Sequence, residues 1–174
     1  LKKEGMNSLI LDLRNNPGGL LESAVEVTEK FIPKDKLVVN TKGRVADQNL
    51  EFYSQEKNPI TDIPMVVMIN EGSASGSEIV AGALQDYKRA IIVGAKSFGK
   101  GSVQTVIPLG DGSALRLTTS KYFTPSGKVI HGNGVIPDIV VDSKIISEDE
   151  DLKKDSKRDP ELVAEEIFEQ INTN

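Results

Sequence analysis

The sequence predicts an α/β fold, and three patterns in its 174 residues indicate it. Aliphatic runs of strand length occur at three places, 8–13, 65–69 and 90–93. Helix-spaced apolar residues follow the first two runs, at 20–31 and 77–87, as is typical of strand-helix repeats. The C-terminal part of the pattern alternates strand-like segments with turn residues, so we expect a β-rich region there.

The first predicted unit is a strand, a turn and a helix. The run 8–13 ends at Arg14-Asn15-Asn16-Pro17-Gly18-Gly19, which combines strong turn formers. The helix predicted over 20–31 follows this turn. Strand-like pieces at 37–40 and 50–53 come next and surround a polar stretch, which we interpret as an exposed turn.

The second unit repeats this order and leads into the β-rich part. The strand predicted over 65–69 runs into a turn of small residues, and Ser77 is the predicted N-cap of the following helix. The apolar helix residues predicted to face the core are Ile79, Val80, Ala83 and Leu84. Further strands are predicted at 90–93, 103–109, 114–119 and 138–141, separated by turns rich in Gly, Pro and Asn.

The composition predicts one globular core followed by a charged tail. We expect a globular core over 1–142, a charged linker over 143–160 and an amphipathic helix over 161–174. The acidic run 148–151 is interpreted as solvated and not as a metal site. A net charge of −5 argues against a nucleic-acid partner, and the absence of cysteine excludes disulfides and thiolate chemistry.

Three serines lie at alternate positions in the turn before the second helix. Ser75 is flanked by Ala74 and Gly76 and resembles a nucleophile elbow, in which small neighbours expose a hydroxyl. The Gly76 amide would then lie at a helix N-terminus, which favours a negative oxygen. The competing interpretation is a serine-rich loop, including Ser73 and Ser77, that only caps the helix. From this segment alone both interpretations stay open.

Lys100 lies in a glycine-rich loop after the strand over 90–93. A lysine kept neutral by burial can take a proton from serine, and the preceding Phe98 is a residue that could desolvate the amine. The loop also fits seven positions of a phosphate-binding P-loop, but Gly101 stands where a Ser or Thr should bind magnesium. A surface lysine in a glycine turn is the third interpretation.

Two other features have weaker signals. The Pro17-Gly18-Gly19 turn can direct exposed amides into a cavity, although a plain strand-to-helix turn explains it equally well. His131 is the single histidine of the chain and lies among glycine and asparagine residues. We therefore expect it on a surface turn and not in a catalytic role.

Five segments together resemble the carboxyl-terminal processing peptidases, also called tail-specific proteases. In chain order they are Leu-Ile-Leu-Asp-Leu-Arg-Asn-Asn-Pro-Gly-Gly (9–19), Glu-Gly-Ser-Ala-Ser-Gly-Ser-Glu-Ile (71–79), Gly-Ala-Leu-Gln-Asp (82–86), Phe-Gly-Lys-Gly-Ser-Val-Gln (98–104) and Gly-Val-Ile-Pro-Asp (134–138). Their order and spacing cover most of the chain. The resemblance implies that residues 1–142 form a partial protease catalytic core with a ClpP/crotonase-like fold.

The resemblance also implies a role for individual residues. Ser75 would be the nucleophile, Lys100 the general base, and Gln104 the residue that orients the lysine. The oxyanion hole would use the amide of Gly76 and a glycine amide of the Pro-Gly-Gly turn, either Gly18 or Gly19. Gly76 stands where the family more usually has alanine, and the backbone amide is the same in both.

The implied function is a serine endopeptidase without a metal or cofactor, which cleaves proteins near or from exposed C-termini through an acyl-enzyme. A PDZ domain of the same polypeptide is expected outside this chain, and a homo-oligomer is left open. The implied location is extracytoplasmic: periplasm, cell envelope or secreted, with a membrane anchor as one arrangement. The alternative is a non-catalytic domain of the same fold that binds extended peptides at a sheet edge.

Overall fold

The computed structural model describes residues 4–141, all of which belong to one compact unit, Leu1–Asp142. The predicted linker over 143–160 and the predicted helix over 161–174 lie outside the described residues. Neither helix within the described range is long and apolar enough to cross a membrane.

A parallel four-stranded sheet forms the first layer. Its strands are β1 (Leu9–Asp12), β4 (Met65–Ile69), β5 (Ile91–Gly94) and β8 (Ile139–Val140), hydrogen-bonded in the order β1-β4-β5-β8. The central strand β4 has no exposed residue, as expected for a parallel strand covered on both faces. Three neighbouring strands, β1, β4 and β5, therefore end at one edge of the sheet, where ligands bind in such folds.

An antiparallel sheet forms the second layer, in the order β3-β2-β7-β6. Its strands are β2 (Leu37–Gly43), β3 (Glu51–Tyr53), β6 (Ser102–Pro108) and β7 (Ala114–Phe123). The strands β6 and β7 form a hairpin, most of whose residues are exposed. The strand β7 is longer than the predicted 114–119, because its last residues pair with β2, a long-range contact without a local signal.

Two helices connect these layers. Helix α1 (Leu21–Glu29) follows β1, and α2 (Gly76–Asp86) follows β4 and packs against α1, β2 and β5. The residues of α2 from Gly76 to Leu84 are all buried, so the four apolar positions predicted to face the core do so. The core also contains fully buried side chains of both sheets: Val38, Val39, Val67 and Ile92.

One predicted helix boundary was wrong. The helix α2 begins at Gly76, and its N-cap is Ser75, not Ser77. The Ser77 side chain instead donates a hydrogen bond to the Asn16 carbonyl at 3.0 Å. The Ser77 hydroxyl therefore bonds to a turn that is distant in the chain instead of capping α2.

Candidate active site

Three loops meet where β1, β4 and β5 end. The turn 14–19 follows β1, the turn 70–75 follows β4, and the loop 95–101 follows β5. The loop 95–101, which we call the lysine loop, contacts the turn 70–75, the serine turn. The Phe98 amide donates to the Ser73 carbonyl at 3.0 Å. The topology therefore places all three predicted motifs side by side.

Side-chain and backbone hydrogen bonds fasten the first two turns together. The Asn15 amide donates to Asn70 Oδ1 at 2.8 Å, and Asn70 Nδ2 donates back to Asn15 Oδ1 at 2.9 Å. The Ala74 amide donates to the Asn16 carbonyl at 3.0 Å. These contacts fix the position of the Pro-Gly-Gly turn beside Ser75.

The three serines have different roles. Ser73 is fully buried, and its hydroxyl donates to the Leu13 carbonyl at 2.7 Å and accepts from the Asn70 amide at 3.0 Å. Ser77 is also buried, and its hydroxyl bonds to Asn16. Of the three, Ser75 is the one that is partly exposed. The structure thus leaves Ser75 as the hydroxyl available for chemistry.

Ser75 has a strained backbone. Its φ is 55° and its ψ is −115°, a combination that residues with a side chain rarely adopt. This conformation changes the chain direction abruptly between β4 and α2, as in a nucleophile elbow. The sequence-based interpretation of this turn as a strained strand-to-helix connection is confirmed.

Two backbone amides next to Ser75 have no hydrogen bond within residues 4–141. They belong to Gly76, at the first position of α2, and to Gly19. A Cβ built on Gly76 would lie 3.2 Å from the Gly19 nitrogen, so the two backbones are in contact. The amide of Gly18 is different, because it donates to Asn16 Oδ1 at 2.9 Å.

Gly18 is required for steric reasons. Its φ is +86°, and a Cβ there would lie 2.5 Å from both the Ala74 oxygen and the Gly76 nitrogen. Only glycine fits such a close approach at a positive φ. The turn therefore depends on Gly18 for space and leaves the Gly19 amide free.

Glu78 connects the serine turn to the lysine loop. Its side chain is fully buried in the first turn of α2. Oε2 accepts from the amides of Ser75 at 2.9 Å and Lys100 at 2.8 Å, and Oε1 accepts from Ser97 Oγ at 2.5 Å and the Gly99 amide at 2.6 Å. One carboxyl group thus holds the backbones of both Ser75 and Lys100.

The side chains of Lys100 and Gln104 are not joined to Ser75 in the described part of the chain. Both side chains are exposed. Within residues 4–141 neither of them forms a hydrogen bond with the Ser75 hydroxyl, and they form none with each other. Phe98 is 68% exposed, so the expected desolvation of the amine by Phe98 does not occur here. Glu78 thus holds the backbones at Ser75 and Lys100, but no hydrogen bond joins the two side chains in the described residues.

Ser97 belongs to the same hydrogen-bond network as Glu78. It is buried, and its hydroxyl donates to Glu78 Oε1 and accepts from the Val135 amide at 2.7 Å.

The predicted surface turn of His131 is confirmed, and the Gly132 amide donates to the Gly99 carbonyl at 2.9 Å. The strand β6 follows Gly101, so the helix that a P-loop needs is not formed.

Sequence reasoning missed Glu78 and Ser97 as site residues. The Ser75-x-x-Glu78 spacing is that of a capping box, which could have identified Glu78 as a partner of the Ser75 amide. For Ser97 the sequence offers no comparable signal. In residues 4–141, no group of three or more His, Asp or Glu side chains is arranged to hold a metal ion.

This arrangement suits acyl transfer. An exposed hydroxyl at a strained turn lies beside two free amides, and one of these begins a helix whose dipole favours negative charge. Such amides stabilise the oxyanion that forms when a hydroxyl attacks a carbonyl.

Comparison with known proteins agrees with this chemistry. The "Carboxy-terminal-processing protease" of Bartonella bacilliformis is 53% identical over 140 residues, covering 80% of this chain and 32% of that protein. The "Carboxyl-terminal-processing protease" of Synechocystis sp. is 44% identical over 147 residues, covering 84% of this chain and 34% of that protein. The chain thus spans about a third of the length of these relatives.

A solved structure described as the photosystem II D1 C-terminal processing protease superposes with a TM-score of 0.75 and 37% identity, covering 83% of this chain and 37% of that one. The predicted ClpP/crotonase-like α/β fold is confirmed. The sequence model of peptidase family S41 matches residues 1–141. As the resemblance predicted, the chain belongs to peptidase family S41.

Proposed function

We propose that this protein is a serine endopeptidase that uses a Ser75/Lys100 dyad. The observation that supports this most directly is the partly exposed Ser75 hydroxyl beside the free amides of Gly76 and Gly19. Membership of a peptidase family agrees with this arrangement. The non-catalytic peptide-binding alternative is not favoured.

The proposed reaction is acyl transfer. Neutral Lys100 takes the hydroxyl proton as Ser75 Oγ attacks a peptide carbonyl, and the carbonyl oxygen becomes an oxyanion held by the two amides. Collapse of this intermediate breaks the C–N bond, and the Lys100 ammonium gives its proton to the leaving amine. Water then attacks the Ser75 ester, and Lys100 again accepts and returns a proton.

The oxyanion hole in this proposal consists of the Gly76 and Gly19 amides. Gly18 is the less suitable donor, because its amide already bonds to Asn16 Oδ1. An amide that already donates to another acceptor stabilises a developing oxyanion less than an amide without a hydrogen-bond partner does.

The proposal requires that the Lys100 side chain move toward Ser75. The Lys100 amide donates to the same Glu78 oxygen as the Ser75 amide, so the proposed movement is a rotation of the exposed Lys100 side chain. A peptide lying over Ser75 would cover the amine and exclude water from it, which favours the neutral base. Gln104, four residues further along β6, is the proposed orienting group.

The proposed substrates are proteins cleaved near or from exposed C-termini, as the names of the relatives suggest. We also propose an extracytoplasmic location and a PDZ domain of the same polypeptide that captures these C-termini. Association into a homo-oligomer is a further proposal that size-exclusion chromatography with light scattering can test.

Substitution of the dyad tests the mechanism. In the protein at its full natural length, Ser75→Ala and Lys100→Ala should each lower the cleavage of an unfolded protein substrate at least a thousandfold, as is typical for loss of a nucleophile or its base. Ser126→Ala, on an exposed turn, is the control. Turnover within tenfold of the wild-type value in either dyad variant removes that residue from the mechanism.

The pH profile tests the base independently. Because the reaction needs the lysine amine without its extra proton, kcat/KM should rise with pH between about pH 6 and pH 9. A flat profile over this range would contradict a lysine base while leaving Ser75 as the nucleophile.

A further inference from the structure

Two of the segments that carry the family resemblance have no part in the proposed reaction. They are Gly-Ala-Leu-Gln-Asp (82–86) and Gly-Val-Ile-Pro-Asp (134–138), and one side chain joins them. Gln85 Nε2 donates to the Ile136 carbonyl and to Asp138 Oδ1, both at 2.8 Å. Asp138 Oδ2 also accepts from the Ile92 amide of β5 at 2.8 Å. The C-terminal end of α2 therefore holds the segment 134–138 in place.

The segment 134–138 in turn supports the lysine loop. The Ser97 amide donates to the Val135 carbonyl at 3.1 Å, and the Val135 amide donates to Ser97 Oγ at 2.7 Å. Gly134 packs closely against the same residue, because a Cβ built on Gly134 would lie 2.6 Å from the Ser97 carbonyl oxygen. The position of Ser97 therefore depends on that of the segment 134–138.

These contacts close a ring that begins and ends on α2. From Glu78 the ring runs through the Ser97 hydroxyl to Val135. It continues along the chain to Ile136 and returns to α2 at Gln85. Glu78 and Gln85 are seven residues apart, which is about two helical turns or about 10 Å. The two side chains therefore project from the same face of α2 and hold the ring at two points.

We infer that Gln85 is a positioning residue for Lys100 and acts through the segment 134–138 and Ser97. The inference rests on the proposed function, in which Lys100 is the base. Both hydrogen bonds of Gln85 lie near the surface, where water replaces a lost partner, so their loss should cost little global stability. The same loss frees one side of the ring that holds the lysine loop. Substitution of Gln85 should therefore affect kcat more than the melting temperature.

The first test compares two substitutions of Gln85 in the protein at its full natural length. Gln85→Glu places a carboxylate against the Ile136 carbonyl and the Asp138 carboxylate, and should lower kcat about fivefold or more with KM nearly unchanged. Gln85→Lys keeps a donor and attracts Asp138, and should retain most of the wild-type kcat. Gln55→Glu is the matched control, because the exposed Gln55 side chain also donates to a carbonyl, that of Tyr53, at 3.5 Å.

The second test asks whether Gln85 acts through Ser97. The variants are Gln85→Ala, Ser97→Ala and the double variant that combines them. Residues of one hydrogen-bond network have non-additive effects, so the double variant should have about the same kcat as Ser97→Ala alone. Thermal unfolding of each variant checks that it is folded at the assay temperature.

Three outcomes would overturn the inference: an unchanged kcat in Gln85→Glu, an equal loss of kcat in Gln85→Lys and Gln85→Glu, or multiplicative losses in the double variant. Each of them leaves the proposed function intact as long as Lys100→Ala is inactive. Turnover of Lys100→Ala within tenfold of the wild-type value would overturn the proposed base and this inference together. The two failures are therefore distinguishable.

Discussion

At the scale of single residues, Glu78 has the greatest influence on the site. Its buried carboxyl group accepts four hydrogen bonds, two of them from the amides of Ser75 and Lys100. Hydrogen bonds to a charged acceptor are stronger than average. One side chain thus couples the geometry at Ser75, the proposed nucleophile, to that at Lys100, the proposed base.

Glu78→Gln tests this coupling. The glutamine NH₂ group would face donors, so at least one buried N–H loses its acceptor, at a cost of about 1–3 kcal/mol in the free energy of unfolding. We expect kcat to fall at least tenfold as well, measured together with denaturant unfolding. Glu51→Gln, an exposed carboxyl bonded to Tyr53, is the control. Full activity in Glu78→Gln would show that the coupling is not needed.

Gly18 and Gly19 form a natural pair for testing the turn. Gly18→Ala places a Cβ against Ala74 and Gly76 at a positive φ, whereas a Cβ at Gly19 meets nothing within 4 Å. Gly18→Ala should therefore destabilise the protein by more than about 1 kcal/mol and displace the amides of the proposed oxyanion hole, and Gly19→Ala should change stability little. Thermal unfolding compares the two. Equal melting temperatures would contradict this account of the turn.

At the scale of elements, three parallel strands supply one loop each to the site. Neighbouring parallel strands end at the same sheet edge, so β1, β4 and β5 bring together segments that are distant in the chain, with 80 residues between the positions of Asn16 and Lys96. The lysine loop has no side-chain core of its own. Its position depends on Glu78 and on Ser97, which bonds to both α2 and the segment around Val135.

Ser97→Ala tests the support of this loop. It removes a donor to Glu78 and an acceptor for the Val135 amide, so we expect a loss of about 1–3 kcal/mol in stability and a severalfold lower kcat with KM nearly unchanged. Ser97→Thr, which keeps the hydroxyl, should restore part of kcat.

The matched control is Ser54→Ala, because Ser54 is also buried and its hydroxyl likewise makes two hydrogen bonds. It donates to the Pro33 carbonyl and accepts from the Lys36 amide. Ser54→Ala should lower stability without changing kcat. Equal effects of both alanine variants on kcat would assign Ser97 a structural role only.

At the scale of the whole described molecule, Asp86 connects α2 to the turn after β7. Its carboxylate accepts from the Ser126 amide at 2.9 Å and lies 3.1 Å from Lys128 Nζ. Burial by itself would raise the pKa of Asp86, but hydrogen bonds from Thr124, Ser126 and Lys128 outweigh it and lower the pKa below the ordinary 3.8.

Because the pKa of Asp86 is lowered in the folded protein, its contribution to the free energy of unfolding depends on pH. The stabilisation is complete above the ordinary value of 3.8 and is lost as the pH falls through the lowered pKa. Asp86→Asn should lower the free energy of unfolding by about 1–2 kcal/mol at pH 7, and this difference should shrink below pH 3.8. Asp47→Asn, at an exposed position, is the control. A difference that is constant with pH would contradict the assignment.

Most of the fold was predictable because its elements have strong local signals. The strand over 65–69 occupies the predicted residues, and α2 differs from the predicted 77–87 by one residue at each end. Hydrophobic runs and turn residues are sufficient for such elements. The end of β7, from Ser120 to Phe123, was not predictable, since it exists through pairing with β2.

The α/β class, the family and the candidates Ser75 and Lys100 could be read from residue types and spacings within short segments, and Gln104 was added by the family resemblance. The tertiary structure alone decided that Ser73 and Ser77 are structural, that Gly19 has the free amide, and that Glu78 joins the serine turn to the lysine loop. Each of these depends on which groups are already hydrogen-bonded to partners distant in the chain. Such pairing is a property of the folded chain and has no signature in the local sequence.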